Sequence, residues 1–97
     1  MNKISVLAID LGGESGRVIK MDFDGVKFYL EEIHRFPNLP VEASGTTYWD
    51  VLSLWREIQS GIAKSGSVNS LGIDSWGVDF ALLDCHGKLL SNPLHYR

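Results

Sequence analysis

Cysteine is nearly absent: Cys85 stands alone among 97 residues, so no disulfide can form within the chain. That excludes the small disulfide-stapled scaffolds and points to a reducing compartment. Basic charge is also short. Nine Lys and Arg face twelve Asp and Glu, for a net charge of −3 with no basic stripe, so no nucleic-acid partner is expected. Long apolar runs are missing as well. The run from Ile4 to Ile9 is stopped by Asp10, too early for the apolar core of a secretory leader or for a membrane span. The expected location is therefore cytoplasmic, with no membrane partner. His34, His86 and His95 lack metal-ligand spacing. Repeats and low-complexity segments are absent too. What is present, 44% hydrophobic and 22% charged residues, is the composition of an ordinary globular domain. A chain of this length supports one modest core, burying roughly two thirds of the surface its unfolded form exposes.

Along the chain, Ile4 to Ile9 reads as a buried strand. Arg17 to Phe23 alternates, with Ile19, Met21 and Phe23 on one face and Lys20 and Asp22 on the other. Asp24-Gly25 signals a type I′ hairpin, and Val26 to Phe36 returns as a third strand with a bulge expected near Glu31-Glu32. Pro37 to Gly45 is a loop. A helix follows, started by Thr47-x-x-Asp50 as a capping box or by Asp50 alone. Its apolar face is Val51, Leu54, Trp55, Ile58 and Ile62, and Lys64-Ser65-Gly66 ends it. Val68 to Asp74 is a further strand, and Val78–Leu83 with Lys88–Leu94 forms a second hairpin around Asp84-Cys85-His86-Gly87. The fold class is α/β: a mixed sheet in β-β-β-α-β order plus a hairpin, one helix packed on one face. The chain stops at His95-Tyr96-Arg97 directly after an apolar stretch, which reads as a strand end or as a break in a longer polypeptide.

The most informative stretch is Asp10-Leu11-Gly12-Gly13-Glu14-Ser15-Gly16-Arg17. It joins two predicted strands. Its glycines permit positive φ and let N–H groups approach an anion. Ser15 adds a hydroxyl, Arg17 a guanidinium suited to phosphate oxygens, and Asp10 a carboxylate able to hold Mg²⁺ directly or through water. The nucleoside-triphosphate loop G-x-x-x-x-G-K-[ST] is excluded, because Val18 follows Arg17 where Lys would be needed. The dinucleotide fingerprint is excluded because a strand pattern, not a helix, follows the glycines. A plain glycine-rich turn without a ligand is the alternative.

Asp10-Leu11-Gly12-Gly13 with Ser15-Gly16-Arg17 resembles the first phosphate loop of the FGGY carbohydrate kinases, within the actin, hexokinase and heat-shock chaperone superfold. Glu32-Ile33-His34-Arg35-Phe36, Trp49-Asp50-Val51 and Gly72-Ile73-Asp74-Ser75-Trp76-Gly77-Val78-Asp79-Phe80 extend the resemblance, most closely to the rhamnulokinases. Tyr96-Arg97 is similar to the start of the family's tyrosine-arginine-aspartate run. The resemblance implies that residues 1–97 are the first part of an actin-like (ribonuclease H-like) N-terminal domain. It implies transfer of the ATP γ-phosphate to a ketose, in rhamnulokinases the C1 hydroxyl of L-rhamnulose. Gly12, Gly13, Glu14, Ser15, Gly16 and Arg17 would meet ATP, Asp10 the Mg²⁺ and the transferred phosphoryl, and Gly77 the sugar, with Trp76 and Asp79 beside it. Two departures stand out. Glu14 occupies a position where relatives carry a small or hydroxyl residue, and a carboxylate facing phosphate repels it. Family members are also several times longer, with the catalytic base and the adenine-binding domain downstream. The remainder of the chain is thus the implied partner, and the 97 residues alone are expected to be inactive.

Other readings stay open. Trp76 is either a sugar-stacking face or core, Asp74 either lines a site or caps a turn, and Asp79 is either a sugar ligand or a structural carboxylate. Trp49 and Trp55 read as packing residues, Trp55 in the core. As a whole, the alternatives are a non-catalytic actin-like nucleotide-binding module and a β-rich interaction domain without a ligand.

Overall fold

The computed structural model describes residues 3–96. Three strands open the chain: β1 (Ile4–Leu11), β2 (Ser15–Phe23) and β3 (Phe28–Pro37). A short hairpin, β4 (Val41–Ala43) and β5 (Thr46–Tyr48), precedes helix α1 (Val51–Ser65), and β6 (Ser70–Asp74) follows it. The main sheet runs β3-β2-β1-β6, antiparallel except for β1 with β6. The mixed main sheet matches the reading of the sequence, but the stretch from Pro37 to Gly45, read as loop, holds β4, so a hairpin is added between β3 and the helix. Among the described residues no helix is long and apolar enough to cross a membrane.

Helix α1 starts where a side chain supplies an orphan N–H with an acceptor. The Asp50 carboxylate accepts from Ser53 N at 3.2 Å, so Asp50 rather than Thr47 is the cap. Asn92 Oδ1 accepts from Val51 N. Gly66, at φ 71°, ends the helix in a conformation that side chains resist. The core joins Leu7, Ile9, Val18 and Phe36 of the sheet to Leu54 and Ile58 of the helix. The buried helical stripe is Leu54, Ile58, Gly61 and Ser65, which puts Trp55 on the flank, 52% exposed rather than in the core. The helix packs on β3, β2 and β1, leaving the inner side of β6 open, with Leu71 and Ile73 exposed.

Local chemistry differs from the sequence reading in four places. The helix covers the β2 face that carries Gly16, Val18 and Lys20, not the face of Ile19, Met21 and Phe23. Lys20 is tolerated there because its Nζ donates to the Ser65 carbonyl at the helix C-terminus, 3.0 Å away. The bulge falls at Ile33, one residue beyond the expected pair, since Val18 faces His34 while Ile19 faces Glu32. Asp24-Gly25 does not form a two-residue turn. Only Gly25 has positive φ, and the Asp24 carboxylate braces a four-residue loop by accepting from Val26 N and Lys27 N. The turn with two positive-φ residues lies instead at Ser44-Gly45, between β4 and β5.

The second hairpin is realised only at its tip. Leu83 bridges Leu89, with Asp84 N donating to Lys88 O and Leu90 N to Leu82 O. Beyond Asn92 the chain leaves that partner. Trp49 N donates to Pro93 O, His95 N donates to Thr47 O, and Leu94 bridges Tyr48. This pairing carries His95 and Tyr96 to the side of Trp49.

Candidate functional site

The loop between β1 and β2 contains Gly12, Gly13 and Glu14. Gly12 N donates to Ser15 O at 2.9 Å, closing the turn, and a Cβ on Gly12 would sit 2.9 Å from that same oxygen. None of Gly12, Gly13 and Gly16 has positive φ. At Gly12 and Gly16 the missing side chain is used for close approach within the protein, a correction to the conformational freedom expected from the sequence. At Gly16 the approach is internal: a Cβ there would lie 2.3 Å from the Phe36 ring. A Cβ on Gly13 would meet nothing within 4 Å.

Across a cleft of about 490 Å³ from Gly12, Gly13, Glu14 and Ser15 stands an aromatic wall of Trp49, Trp76, His95 and Tyr96. The ring centroids of Trp49 lie 4.3 Å from Trp76 and 4.2 Å from His95, and Tyr96 lies parallel to His95 at 5.6 Å. Asp79 fixes the two indoles. Its Oδ2 accepts from Trp49 Nε1 at 2.6 Å and from Trp76 Nε1 at 2.9 Å. Trp49 is buried, as expected of a packing residue, and Trp76 packs against the core while also lining the cleft. Gly77 is exposed in the bend after β6, and a Cβ on it would touch nothing. Arg97, the second residue of the expected tyrosine-arginine run, lies outside the described residues.

Asp10 and Arg17 face each other directly across β1 and β2 and form an ion pair at 2.5 Å. Both side chains are 41% exposed, so the pair contributes under about 1 kcal/mol to stability. Asp74 is level with Asp10 in the parallel register, which gathers two carboxylates and one guanidinium at the strand ends beside the loop. Arg17 does not line the cleft with Ser15; it stands at the foot of the loop, committed to Asp10. Among the described residues no group of three or more His, Cys, Asp or Glu forms a metal cage. A single carboxylate suffices for Mg²⁺ when phosphate and water complete its shell. Glu14 is exposed and borders the cleft.

Asn38 was not singled out from the sequence, where it reads as one polar residue in a proline-containing loop. It is 3% exposed and directly behind the glycine loop. Its position immediately after a strand and between Pro37 and Pro40 was the available signal.

No family model matches the chain. Rhamnulokinases do. That of Bacteroides thetaiotaomicron is 46% identical over 99 residues, covering 98% of this chain and 20% of that protein. That of Halalkalibacterium halodurans is 44% identical over 95 residues, covering 94% of this chain and 20% of that protein. Among solved structures, a carbohydrate kinase from Novosphingobium aromaticivorans superposes with a TM-score of 0.73 at 26% identity, over 93% of this chain and 19% of that one. A gluconate kinase from Lactobacillus acidophilus superposes with a TM-score of 0.74 at 15% identity, over 96% of this chain and 20% of that one, a likeness of fold alone. The chain thus spans about a fifth of the length of the relatives it matches. Sequence shared with rhamnulokinases across nearly all of its residues, and a sheet and helix that superpose on a carbohydrate kinase, match the expected resemblance to the FGGY carbohydrate kinases.

Proposed function

We propose that these residues are the first part of the N-terminal domain of an ATP-dependent kinase. It would phosphorylate a ketose, with the C1 hydroxyl of L-rhamnulose as the acceptor. The observation that carries this is the cleft itself: a glycine-rich turn on one side, an aromatic wall on the other. The chain as a whole is 39–46% identical to the matched stretches of rhamnulokinases.

The residues fit the nucleotide's phosphates. Among the described residues, the N–H groups of Gly13 and Glu14 donate to no protein acceptor. They and the Ser15 hydroxyl are the donors available to phosphate oxygens, and Gly12 and Gly16 let the turn stay tight. Arg17 supplies positive charge at the loop's foot, and Asp10 is the carboxylate to hold Mg²⁺, through water given its pairing with Arg17. ATP supplies the phosphoryl group, and in such transfers positioning and charge stabilisation do most of the work. Sugars offer C–H faces as well as hydroxyls. Trp76 lines the cleft, Gly77 follows it as an exposed residue, and Asp79 acts by holding the indoles. The catalytic base is assigned to no residue of this chain, so phosphotransfer belongs to the complete gene product and the 97 residues alone are expected to be inactive.

The test is phosphorus NMR on the complete gene product with ATP, Mg²⁺ and L-rhamnulose, which should yield a sugar phosphate and ADP. Arg17→Ala, which removes the positive charge at the loop's foot and leaves Asp10 unpaired, should lower kcat/KM for ATP by about tenfold. ATP hydrolysis without any sugar phosphate would favour the non-catalytic nucleotide-binding module. Unchanged ATP kinetics in Arg17→Ala would refute the loop's role.

A further inference from the structure

We infer that Asn38 is the positioning residue of the glycine loop, an inference that rests on the ATP reading above. Its backbone N–H donates to Glu14 O at 2.9 Å, and its side-chain Nδ2 donates to Gly12 O at 2.8 Å. One residue at the end of β3 thus grips the carbonyls on both sides of Gly13. Peptide geometry sets the consequence. The C=O and N–H of a peptide unit point in opposite directions. Drawing the Gly12 carbonyl back toward Asn38 therefore turns the N–H of Gly13 away from it. Neither that N–H nor the one on Glu14 has an acceptor among the described residues.

The amide orientation is fixed by this contact, since the reverse rotamer would set Oδ1 against the Gly12 carbonyl oxygen. In the orientation adopted, Oδ1 is buried without a partner. An orphaned buried acceptor is costly and uncommon. A residue selected for packing alone would avoid it. Asn38 has the two donors the loop needs, one from the backbone and one from the side chain, and the orphan is what remains.

Asn38→Asp tests this, because it keeps the shape and removes the Nδ2 donor. In the complete gene product, calorimetric affinity for ATP and KM for ATP should each worsen by about tenfold, while KM for the sugar stays within about twofold. The amide resonances of Gly13 and Glu14 should shift in a nitrogen-15 spectrum. If Asn38→Asp does not fold, Asn38→Ser serves instead: it keeps the backbone bond to Glu14, is too short to reach Gly12, and should show the same split. ATP affinity within twofold of wild type in a folded variant overturns the inference and leaves the kinase reading standing. So does an equal loss for ATP and sugar, the mark of general loosening. Wild-type protein that binds no ATP overturns the kinase reading and the inference together.

Discussion

Replacing Asp79 separates a carboxylate that binds sugar from one that builds the wall. Its Oδ2 accepts from both Trp49 and Trp76. Asp79→Ala would strand two indole N–H groups. Each unsatisfied buried donor costs about 1–3 kcal/mol, and Trp76, less buried than Trp49, recovers part of its share from water. The expected loss is about 2–4 kcal/mol, a large fraction of the stability of a domain this size. At roughly 4–8 °C per kcal/mol, melting should fall by about 8–32 °C. Asp79→Asn keeps an acceptor oxygen in place and should cost no more than about 1 kcal/mol. Urea unfolding followed by far-ultraviolet circular dichroism measures both. A cycle with Trp49→Phe, which has no N–H to strand, isolates the contact: Asp79→Ala should cost about 1–2 kcal/mol less in that background. Equal damage from Asn and Ala, or no coupling to Trp49, would refute the clamp and return Asp79 to the sugar.

Two further expectations concern the scaffold. Gly61→Ala should destabilise the fold by about 1–2 kcal/mol, because overpacking outweighs the roughly 1 kcal/mol of helix propensity that alanine offers. The new Cβ would lie 2.5 Å from Val18 Cγ2 and 2.9 Å from its Cβ, which the backbone holds in place, so a higher melting temperature would refute this. Acid should also weaken the fold. The Ser5 hydroxyl, then the Lys3 charge, lowers the Asp22 pKa, and the backbone N–H groups of Lys27 and Val26 lower that of Asp24. Both groups bind protons more weakly folded than unfolded. Their contribution is therefore complete above the ordinary value of 3.8 and is lost as pH falls through the depressed values. Melting curves between pH 5 and pH 2 should show a decline that is shallower in Asp22→Asn and Asp24→Asn.

Strand and helix identity were legible because each rests on local patterning. Ile4 to Ile9 is apolar on both faces, and Leu54 and Ile58 keep helical spacing. Which face of β2 is covered was not legible, because Lys20 reads as solvent-facing until a helix C-terminus is there to receive it. Trp55 fitted the apolar stripe by spacing, but the stripe is centred on Gly61, where the helix meets Val18. The loop's position could be read from its glycines, whereas its support could not. Asn38 acts across 26 residues of sequence, and Asp79 reaches Trp49 across 30, distances at which no periodicity operates. The turn of the chain after Asn92 toward β5 was likewise set by tertiary pairing, and with it the arrival of His95 and Tyr96 in the wall.

The outer margin of β6 has consequences of its own. It borders the sheet with Leu71 and Ile73 uncovered, while Ile4, Phe28 and Leu30 lie bare on the opposite side. Among the described residues no strand pairs with that margin, and its backbone groups would set where an added extended segment aligns. Any polypeptide laid there inherits a fixed offset relative to Asp10 and Asp74.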